Sequence, residues 1–285
     1  MQIPTVHEAL KWASSCLEEH QCEPKVAEIL LLHLLEWSKT DLLFQLRQQL
    51  PAEKWELFQQ QIKQHAETKI PVQHLTGLEE FYGRTFYVNK DVLIPRPETE
   101  ELIQDVINTV DNANHLTCVD IGTGSGIIAV TLAKEWERQQ LKMLAVDLSP
   151  DALTVAKKNA AKHEAEVDFY QGSFLEPLID CGQKVDIIVS NPPYIAYEEA
   201  EKLSDTVKHF DPEMALFAEN DGLAAYQQIL QQAPSVLKPN GMIFFEIGYT
   251  QGEAVTTIAK QYYPQSTVKV IQDINKKDRI VQIVT

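Results

Sequence analysis

From Glu98 to its end, the chain alternates short apolar runs with segments of helical periodicity. The strand-like runs are 116–121, 143–146, 167–170, 185–189, 242–245, 268–271 and 280–284. Apolar residues at helical spacing predict helices at 127–136, 152–162, 223–237 and 253–262. This alternation is typical of βαβ units and predicts a mainly parallel sheet. Only a short turn, 275–278, joins the last two runs, so we expect them to pair antiparallel.

The first 70 residues have helical periodicity throughout. Residues 5–8 fit a capping box, and Pro24, Ser38 and Pro51 stand where further helices can begin. We therefore expect a small bundle of about four short helices that ends near Lys69. Aromatic residues around Gly83 then predict a hairpin or extended connector. The predicted parts are a helical domain (1–70), a hairpin-like connector (71–97) and an α/β domain (98–285).

Composition and charge exclude several classes of protein. A chain of 285 residues that is 44% hydrophobic can bury a sizeable core. A net charge of −16 is the opposite of what long contact with nucleic-acid phosphates requires, so we expect no stable nucleic-acid binding. The longest apolar run, 29–35, is far below the roughly 18 residues of a membrane span, and residues 1–10 lack a secretory signal. We expect a cytoplasmic, monomeric protein without membrane contact.

No metal site is expected from the cysteine and histidine patterns. The four cysteines, Cys16, Cys22, Cys118 and Cys181, have no CxxC spacing, and no HExxH motif is present. We interpret the cysteines as reduced thiols.

A glycine-rich turn follows the first strand of the α/β domain. Asp120-Ile-Gly-Thr-Gly-Ser-Gly126 stands between an apolar run and a helical segment, where glycines let a nucleotide-like ligand approach the backbone. Asp147 ends the next strand, where a carboxylate can accept hydrogen bonds from both hydroxyls of a ribose. The GxGxG spacing differs from the GxGxxG that seats a pyrophosphate, which favours a ligand without phosphates. The alternative is a tight βα turn with no ligand.

A second motif, Asn191-Pro192-Pro193-Tyr194, follows the fourth predicted strand. Parallel strands place it at the same sheet edge as the glycine turn. The Asn191 side-chain oxygen and the Pro192 carbonyl can both accept hydrogen bonds from one planar NH2 group, and Tyr194 can stack on its plane. This turn, called the Asn191–Tyr194 corner below, suits an amide or an exocyclic amine as a ligand. The tetrapeptide alone could also be an ordinary loop.

With these motifs the chain resembles the class I S-adenosylmethionine-dependent methyltransferases, and specifically the glutamine N5-methyltransferases of peptide chain release factors (HemK/PrmC family). Further resemblance lies in residues 79–86, in Ile94-Pro-Arg-Pro-Glu-Thr-Glu100, in Asp221-Gly-Leu223 and in the helical leader. The resemblance implies a Rossmann-like domain with an antiparallel last strand, preceded by an all-α substrate-binding domain. It also implies methyl transfer from S-adenosyl-L-methionine to a glutamine side-chain nitrogen of a release factor, with S-adenosyl-L-homocysteine as product.

The resemblance further implies roles for individual residues. The methionine part of the cofactor would lie along Gly122, Thr123, Gly124, Ser125 and Gly126, with its ribose on Asp147. Ser173 and Phe174 would flank the adenine; some relatives have a larger or acidic residue where Ser173 stands. The glutamine amide would be held by four residues, Asn191, Pro192, Pro193 and Tyr194. Three of them, Asn191, Pro192 and Tyr194, would be catalytic residues. Asn191 would also lie close to the cofactor.

Other functions remain open at this point. An adenine-N6 or cytosine-N4 methyltransferase would use the same Asn191–Tyr194 geometry, and a ribosomal-protein glutamine methyltransferase differs mainly around Ile94–Glu100. An inactive cofactor sensor and an NAD-dependent dehydrogenase fit the motifs less well. Arg96 could simply pair with Glu98 or Glu100. The acidic stretch 198–221 is interpreted as a solvated loop, or as a lid that faces a basic partner.

Overall fold

The computed structural model describes residues 3–110, 115–203 and 205–285, without the side chains of Lys202 and Asp205. The chain forms two compact units. The first contains Met1–Leu78 and Ser204–Phe210, and the second contains Glu79–Leu203 and Asp211–Thr285. The chain thus returns once to its first unit, which the sequence pattern does not indicate.

The first unit is helical. Its helices α1 to α5 are Val6–Glu19, Lys25–Leu35, Lys39–Phe44, Ala52–Thr68 and Val72–Thr76. Capping boxes begin α1 at Thr5 and α3 at Ser38, because each hydroxyl and the acid three residues later satisfy the exposed backbone N–H groups. Buried side chains such as Leu30 and Phe58 form its core. Four helices ending near Lys69 are confirmed, with α5 in addition.

The second unit begins with a two-stranded hairpin of β1 (Leu78–Phe81) and β2 (Arg84–Tyr87). Its other strands, β3 to β11, are Thr117–Ile121, Lys142–Asp147, Val167–Gln171, Val185–Ser190, Ile195–Ala196, Phe217–Ala218, Leu237–Glu246, Thr267–Gln272 and Asp278–Val284. The remaining α-helices, α6 to α14, are Pro97–Thr109, Ile127–Glu135, Pro150–Lys162, Glu176–Asp180, Asp205–Phe210, Glu213–Leu216, Glu219–Gly222, Ala224–Gln232 and Gly252–Tyr262. All of them belong to the second unit except α10 (Asp205–Phe210), which belongs to the first.

Seven strands form the central sheet in the order β10-β11-β9-β6-β3-β4-β5. Of these seven strands, only β11 runs in the opposite direction to the others, so the predicted mainly parallel sheet with an antiparallel last strand is confirmed. Two clusters of buried side chains form the hydrophobic core of this unit, and both include residues of the central strands. The central strand β3 is buried along its whole length, as is typical of parallel strands that are covered on both faces.

The carboxyl ends of the parallel strands meet at one edge of the sheet. There the chain leaves β3 at Ile121, β4 at Asp147, β6 at Ser190 and β9 at Glu246. Ligands bind at this edge in open α/β sheets. Among the described residues, no helix is long and apolar enough to cross a bilayer.

Candidate active site

A cavity of about 370 Å³ opens at this edge. Its lining includes most of the residues that the motifs indicated: Gly122, Thr123, Gly124, Ser125, Asp147, Ser173, Phe174, Asn191 and Pro193. Gly126, Pro192 and Tyr194 lie next to the lining but are not part of it. The structure therefore brings both motifs, 65 positions apart between Gly126 and Asn191, to one cavity.

The glycine loop, residues 122–126, is open towards a ligand at two of its three glycines. Gly122 and Gly124 have φ angles of +71° and +54°, and an added Cβ would meet no atom within 4 Å at either position. Gly126 differs, because its Cβ would lie 3.1 Å from Ala156 on α8. The first two glycines thus leave free space for a ligand, whereas the third permits close packing of loop and helix.

A fully buried carboxyl group supports the glycine loop from beneath. Asp120 Oδ2 accepts hydrogen bonds from the Thr123 hydroxyl at 2.6 Å and from the Ala129 N–H at 3.2 Å. Burial raises the pKa of Asp120 to about 7, although both hydrogen bonds oppose the rise. The loop conformation is therefore coupled to a buried ionisable group.

Asp147 lies at the end of β4 and faces the same cavity. Its Oδ2 accepts a hydrogen bond from Gly124 N at 2.8 Å, and its Oδ1 accepts one from Ser149 N at 2.9 Å. Burial raises the pKa of Asp147, and these backbone N–H groups oppose the rise. Because each carboxylate oxygen has a second lone pair, the group can still accept hydrogen bonds from a ligand's hydroxyls.

Asn159 ties the glycine loop to the hairpin. From its buried position on α8, its side chain donates to Ser125 O at 2.8 Å and to Tyr87 O at 2.9 Å, and accepts from Tyr87 N at 2.7 Å. This residue was not predicted from the sequence. The available signal was an asparagine on the otherwise apolar face of a predicted helix.

Phe174 lines the cavity and also packs against the hydrophobic core. Its φ angle of +49° is unusual for an aromatic residue and turns the chain sharply after Ser173. Ser173 also lines the cavity.

The orientation of Asn191 depends on two residues that the motif does not contain. Asn191 Nδ2 donates to the Thr99 hydroxyl at 3.2 Å, and that hydroxyl donates to Glu246 Oε2 at 2.7 Å. Thr99 and Glu246 are each 1% exposed. Since the amide nitrogen is directed to Thr99, the side-chain oxygen of Asn191 is the atom that this side chain offers to a ligand.

The other end of the corner is held through its backbone. The Gln251 side-chain amide donates to Tyr194 O at 2.9 Å, and an added Cβ at Gly222 would overlap that same oxygen. The Tyr194 ring packs against the hydrophobic core, and burial raises its pKa to about 12. Its stacking on a substrate remains a prediction. Thr99, Glu246, Gln251 and Gly222 were all missed, because no local pattern connects them with the motif.

Arg96 lines the cavity and pairs with Asp211 at 2.8 Å, rather than with Glu98 or Glu100 as considered from the sequence. Glu100 instead accepts a hydrogen bond from Tyr82 N at 2.7 Å. The Asp211 side chain is 2% exposed, so this residue does not belong to a solvated acidic loop. Ser204 and the side chains of Lys202 and Asp205, in the same stretch, lie outside the described residues.

Two protein-family models match the chain. Residues 8–77 match the PrmC N-terminal domain, and residues 112–283 match a methyltransferase domain. The chain is 45% identical to the release factor glutamine methyltransferase of Bacillus anthracis, over 97% of this chain and 98% of that one. It is also 45% identical to that of Bacillus subtilis (98% and 97%) and 41% identical to that of Enterococcus faecalis (96% of each).

Solved structures support the fold. A methyltransferase from Pyrococcus furiosus has a TM-score of 0.50 at 15% identity, covering 72% of this chain and 90% of that chain. A 16S rRNA methyltransferase of T. thermophilus, solved with AdoMet and guanosine, has a TM-score of 0.51 at 16% identity, covering 73% and 49%. The predicted class I methyltransferase fold is thereby confirmed.

Proposed function

The chain belongs to the release factor glutamine methyltransferase family, and we propose that its Asn191–Tyr194 corner holds the substrate glutamine of that reaction. The enzyme transfers a methyl group from S-adenosyl-L-methionine to the side-chain amide nitrogen of a glutamine in a peptide chain release factor. The observation that supports the proposed site best is the orientation of Asn191, whose nitrogen is directed to Thr99 on the cavity wall.

The cavity fits S-adenosylmethionine in size and in chemistry. About 370 Å³ lies within the range of small-molecule sites. A side chain at position 122 or 124 would occupy the space that the two glycines leave free for the cofactor. Asp147 can accept hydrogen bonds from ribose hydroxyls. We assign cofactor binding to the glycine loop, Asp147, Ser173 and Phe174, with Asn191 close to it.

When bound, the cofactor supplies an electrophilic methyl group on a sulfonium centre. The glutamine nitrogen is a poor nucleophile, because its lone pair is delocalised into the carbonyl. Asn191 Oδ1 and the Pro192 carbonyl accept hydrogen bonds from its two N–H groups, which orients the nitrogen and stabilises the positive charge that develops there. Pro193 lines the cavity beside Asn191. No side chain needs to act as a general base before transfer, and orientation supplies a large part of the rate enhancement.

The substrate and its location follow from the family. Release factors act where translation takes place, so we place the enzyme in the cytoplasm. Its net charge of −16 supports the proposal that it forms no stable complex with nucleic acid.

A parallel methylation assay tests the function. The full-length enzyme is incubated with methyl-labelled S-adenosylmethionine and, separately, a purified release factor, a ribosomal protein and a DNA duplex. We expect label on one glutamine of the release factor, located by mass spectrometry of its peptides. Label on the ribosomal protein or on a base, with none on the release factor, would contradict the proposal.

A further inference from the structure

The Asn191 amide is the end of a hydrogen-bond relay that starts at a buried carboxyl group. Glu246 Oε2 accepts the Thr99 hydroxyl proton at 2.7 Å, and the Thr99 oxygen accepts from Asn191 Nδ2 at 3.2 Å. Glu246 and Thr99 are almost completely inaccessible to solvent, but Thr99 lines the cavity together with Asn191, whereas Glu246 does not. The relay therefore runs from the interior of the sheet to the proposed substrate site.

Strand register brings the three residues together. In the parallel pair of β6 and β9, Ser190 lies opposite Phe245, so Asn191, just past the end of β6, follows beside Glu246, the last residue of β9. The first turn of α6 supplies Thr99. Tyr226 donates to the Glu246 backbone carbonyl at 2.9 Å and helps to fix the end of β9.

The chemistry of the donors sets the direction of the relay. An ionised Glu246 can only accept hydrogen bonds, so the single proton of the Thr99 hydroxyl points towards it. The Thr99 oxygen can then only accept from Asn191, which fixes the NH2 group of Asn191 inward and its oxygen towards the ligand. In the opposite orientation, Asn191 would present NH2 to the NH2 of a substrate amide, and two donors would face each other.

We propose, on the basis of the function above, that Thr99 and Glu246 are positioning residues that keep the Asn191 oxygen directed at the substrate amide. They act on turnover through Asn191 and make no contact with the reacting atoms themselves.

The protonation state of Glu246 gives this relay a measurable property. Burial raises the pKa of Glu246 to about 7, while the Thr99 hydrogen bond and the nearby charge of Arg279 oppose the rise. The ionisable and charged groups around it are Glu98 on α6, Tyr194 after β6, Tyr226 on α13 and Arg279 on β11. Protonated Glu246 can donate to Thr99 and so release the Thr99 proton towards the Asn191 oxygen. The productive orientation is then lost as the pH falls through about 7.

Two substitutions of Thr99 separate positioning from packing. Thr99→Val keeps the volume but removes the hydroxyl, whereas Thr99→Ser keeps the hydroxyl and loses a methyl group. We expect kcat to fall about 10- to 100-fold in Thr99→Val, by analogy with the loss of one preorganised hydrogen bond, and to stay within about threefold in Thr99→Ser. The KM for S-adenosylmethionine should change little in either variant. A Thr99→Val enzyme as active as Thr99→Ser would overturn the proposal.

Glu246→Gln tests the origin of the relay. The wild-type kcat should rise between pH 6 and 8 with an inflection near 7, and the variant should be slower, without that inflection. Folding is checked by circular dichroism and by cofactor affinity. If Glu246→Gln does not fold, the proposal is tested by the comparison of Thr99→Val with Thr99→Ser and by the pH profile of the wild-type enzyme. An unchanged inflection in a folded variant, or none in the wild type, would contradict the proposal.

A measurement that does not require turnover distinguishes a failure of the proposed relay from a failure of the proposed function. In 15N-labelled enzyme, the Asn191 side-chain NH2 signal, assigned by its loss in Asn191→Ala, should shift with a midpoint near pH 7. The shift should disappear in Thr99→Val and persist in Thr99→Ser. Failure of this signal to titrate counts against the relay, whereas failure to methylate a release factor counts against the proposed function alone.

Discussion

The glycine loop and the Asn191–Tyr194 corner lie at the same sheet edge but are held in different ways. The loop presents backbone, and its shape depends on glycines with positive φ within seven consecutive residues, 120–126. The corner presents the side chain of Asn191, which is oriented by Thr99, 92 positions earlier, while Gln251 holds its far end. A backbone loop of the first kind is determined by neighbouring residues, whereas a side chain oriented in the second way is determined by the tertiary fold.

The two regions share one feature, a fully buried carboxyl group beneath each. Asp120 supports the loop and Glu246 supports the corner, and burial raises the pKa of each to about 7. The two sites can therefore be perturbed separately by matched changes, and their effects should differ in kind: cofactor affinity for the loop, turnover for the corner.

Removing the acceptor of the corner should have the largest effect. We expect Asn191→Ala to lower kcat by about 10² to 10³, because one preorganised hydrogen bond to the reacting group is lost. Asn108→Ala, an exposed asparagine on α6, is the matched control and should have wild-type kcat. Single-turnover rates of labelled methyl transfer measure both, and a wild-type rate in Asn191→Ala would rule out this role.

Neutralising the carboxyl beneath the loop should change the pH dependence of stability. Because the folded-state pKa of Asp120 lies above its ordinary value of 3.8, its stabilising contribution is present below that value and is lost as the pH rises through about 7. In Asp120→Asn, the fall in unfolding free energy between pH 4 and 8 should be smaller by about 4 kcal/mol, since the rise in pKa from 3.8 to about 7 is removed. Denaturant titrations measure it, with exposed Asp168→Asn as control. Equal slopes in all three proteins would refute the shift.

Truncation of the Asp147 side chain should weaken the binding of the cofactor without a comparable effect on turnover. Asp147→Ala is expected to cost about 1.5 to 3 kcal/mol of S-adenosylmethionine affinity, the range for hydrogen bonds to a charged group. Calorimetry measures the affinity, and Asp168→Ala on the neighbouring strand is the control. Unchanged affinity in Asp147→Ala would remove this carboxylate from the cofactor site.

Substitution of Gly222 tests whether the position of the Asn191–Tyr194 corner depends on residues that are distant in sequence. In Gly222→Ala the new methyl group would overlap the Tyr194 carbonyl, so the corner must shift, and we expect kcat to fall about tenfold with little change in cofactor affinity. Gly182→Ala is the control, since Gly182 also has a positive φ but an added Cβ there meets no atom within 4 Å. Equal kcat values in the two variants would show that the corner tolerates displacement.

Sequence reasoning succeeded where the determinants are local. The order of strands and helices is confirmed, and the glycine loop, Asp147 and Asn191 lie at one cavity as expected, because periodicity, turn residues and strand ends can be recognised in neighbouring residues. Their roles in binding remain predictions. Thr99, Asn159, Glu246 and Gln251 were not identified, because their partners are set by register between distant strands and by the packing of α6 and α8. Arg96 shows the same limit: its partner is Asp211, 115 positions away, and not one of the acids beside it.

The discontinuous first unit has a consequence for synthesis. Phe210 packs edge to face against His74 at 6.3 Å, although 132 residues separate Phe210 from the end of the unit's first segment at Leu78. At typical translation rates, on the order of ten seconds pass between the two. The helices of the first segment therefore emerge from the ribosome well before Phe210. The packing of Phe210 against His74 can form only after most of the strands of the central sheet have been translated.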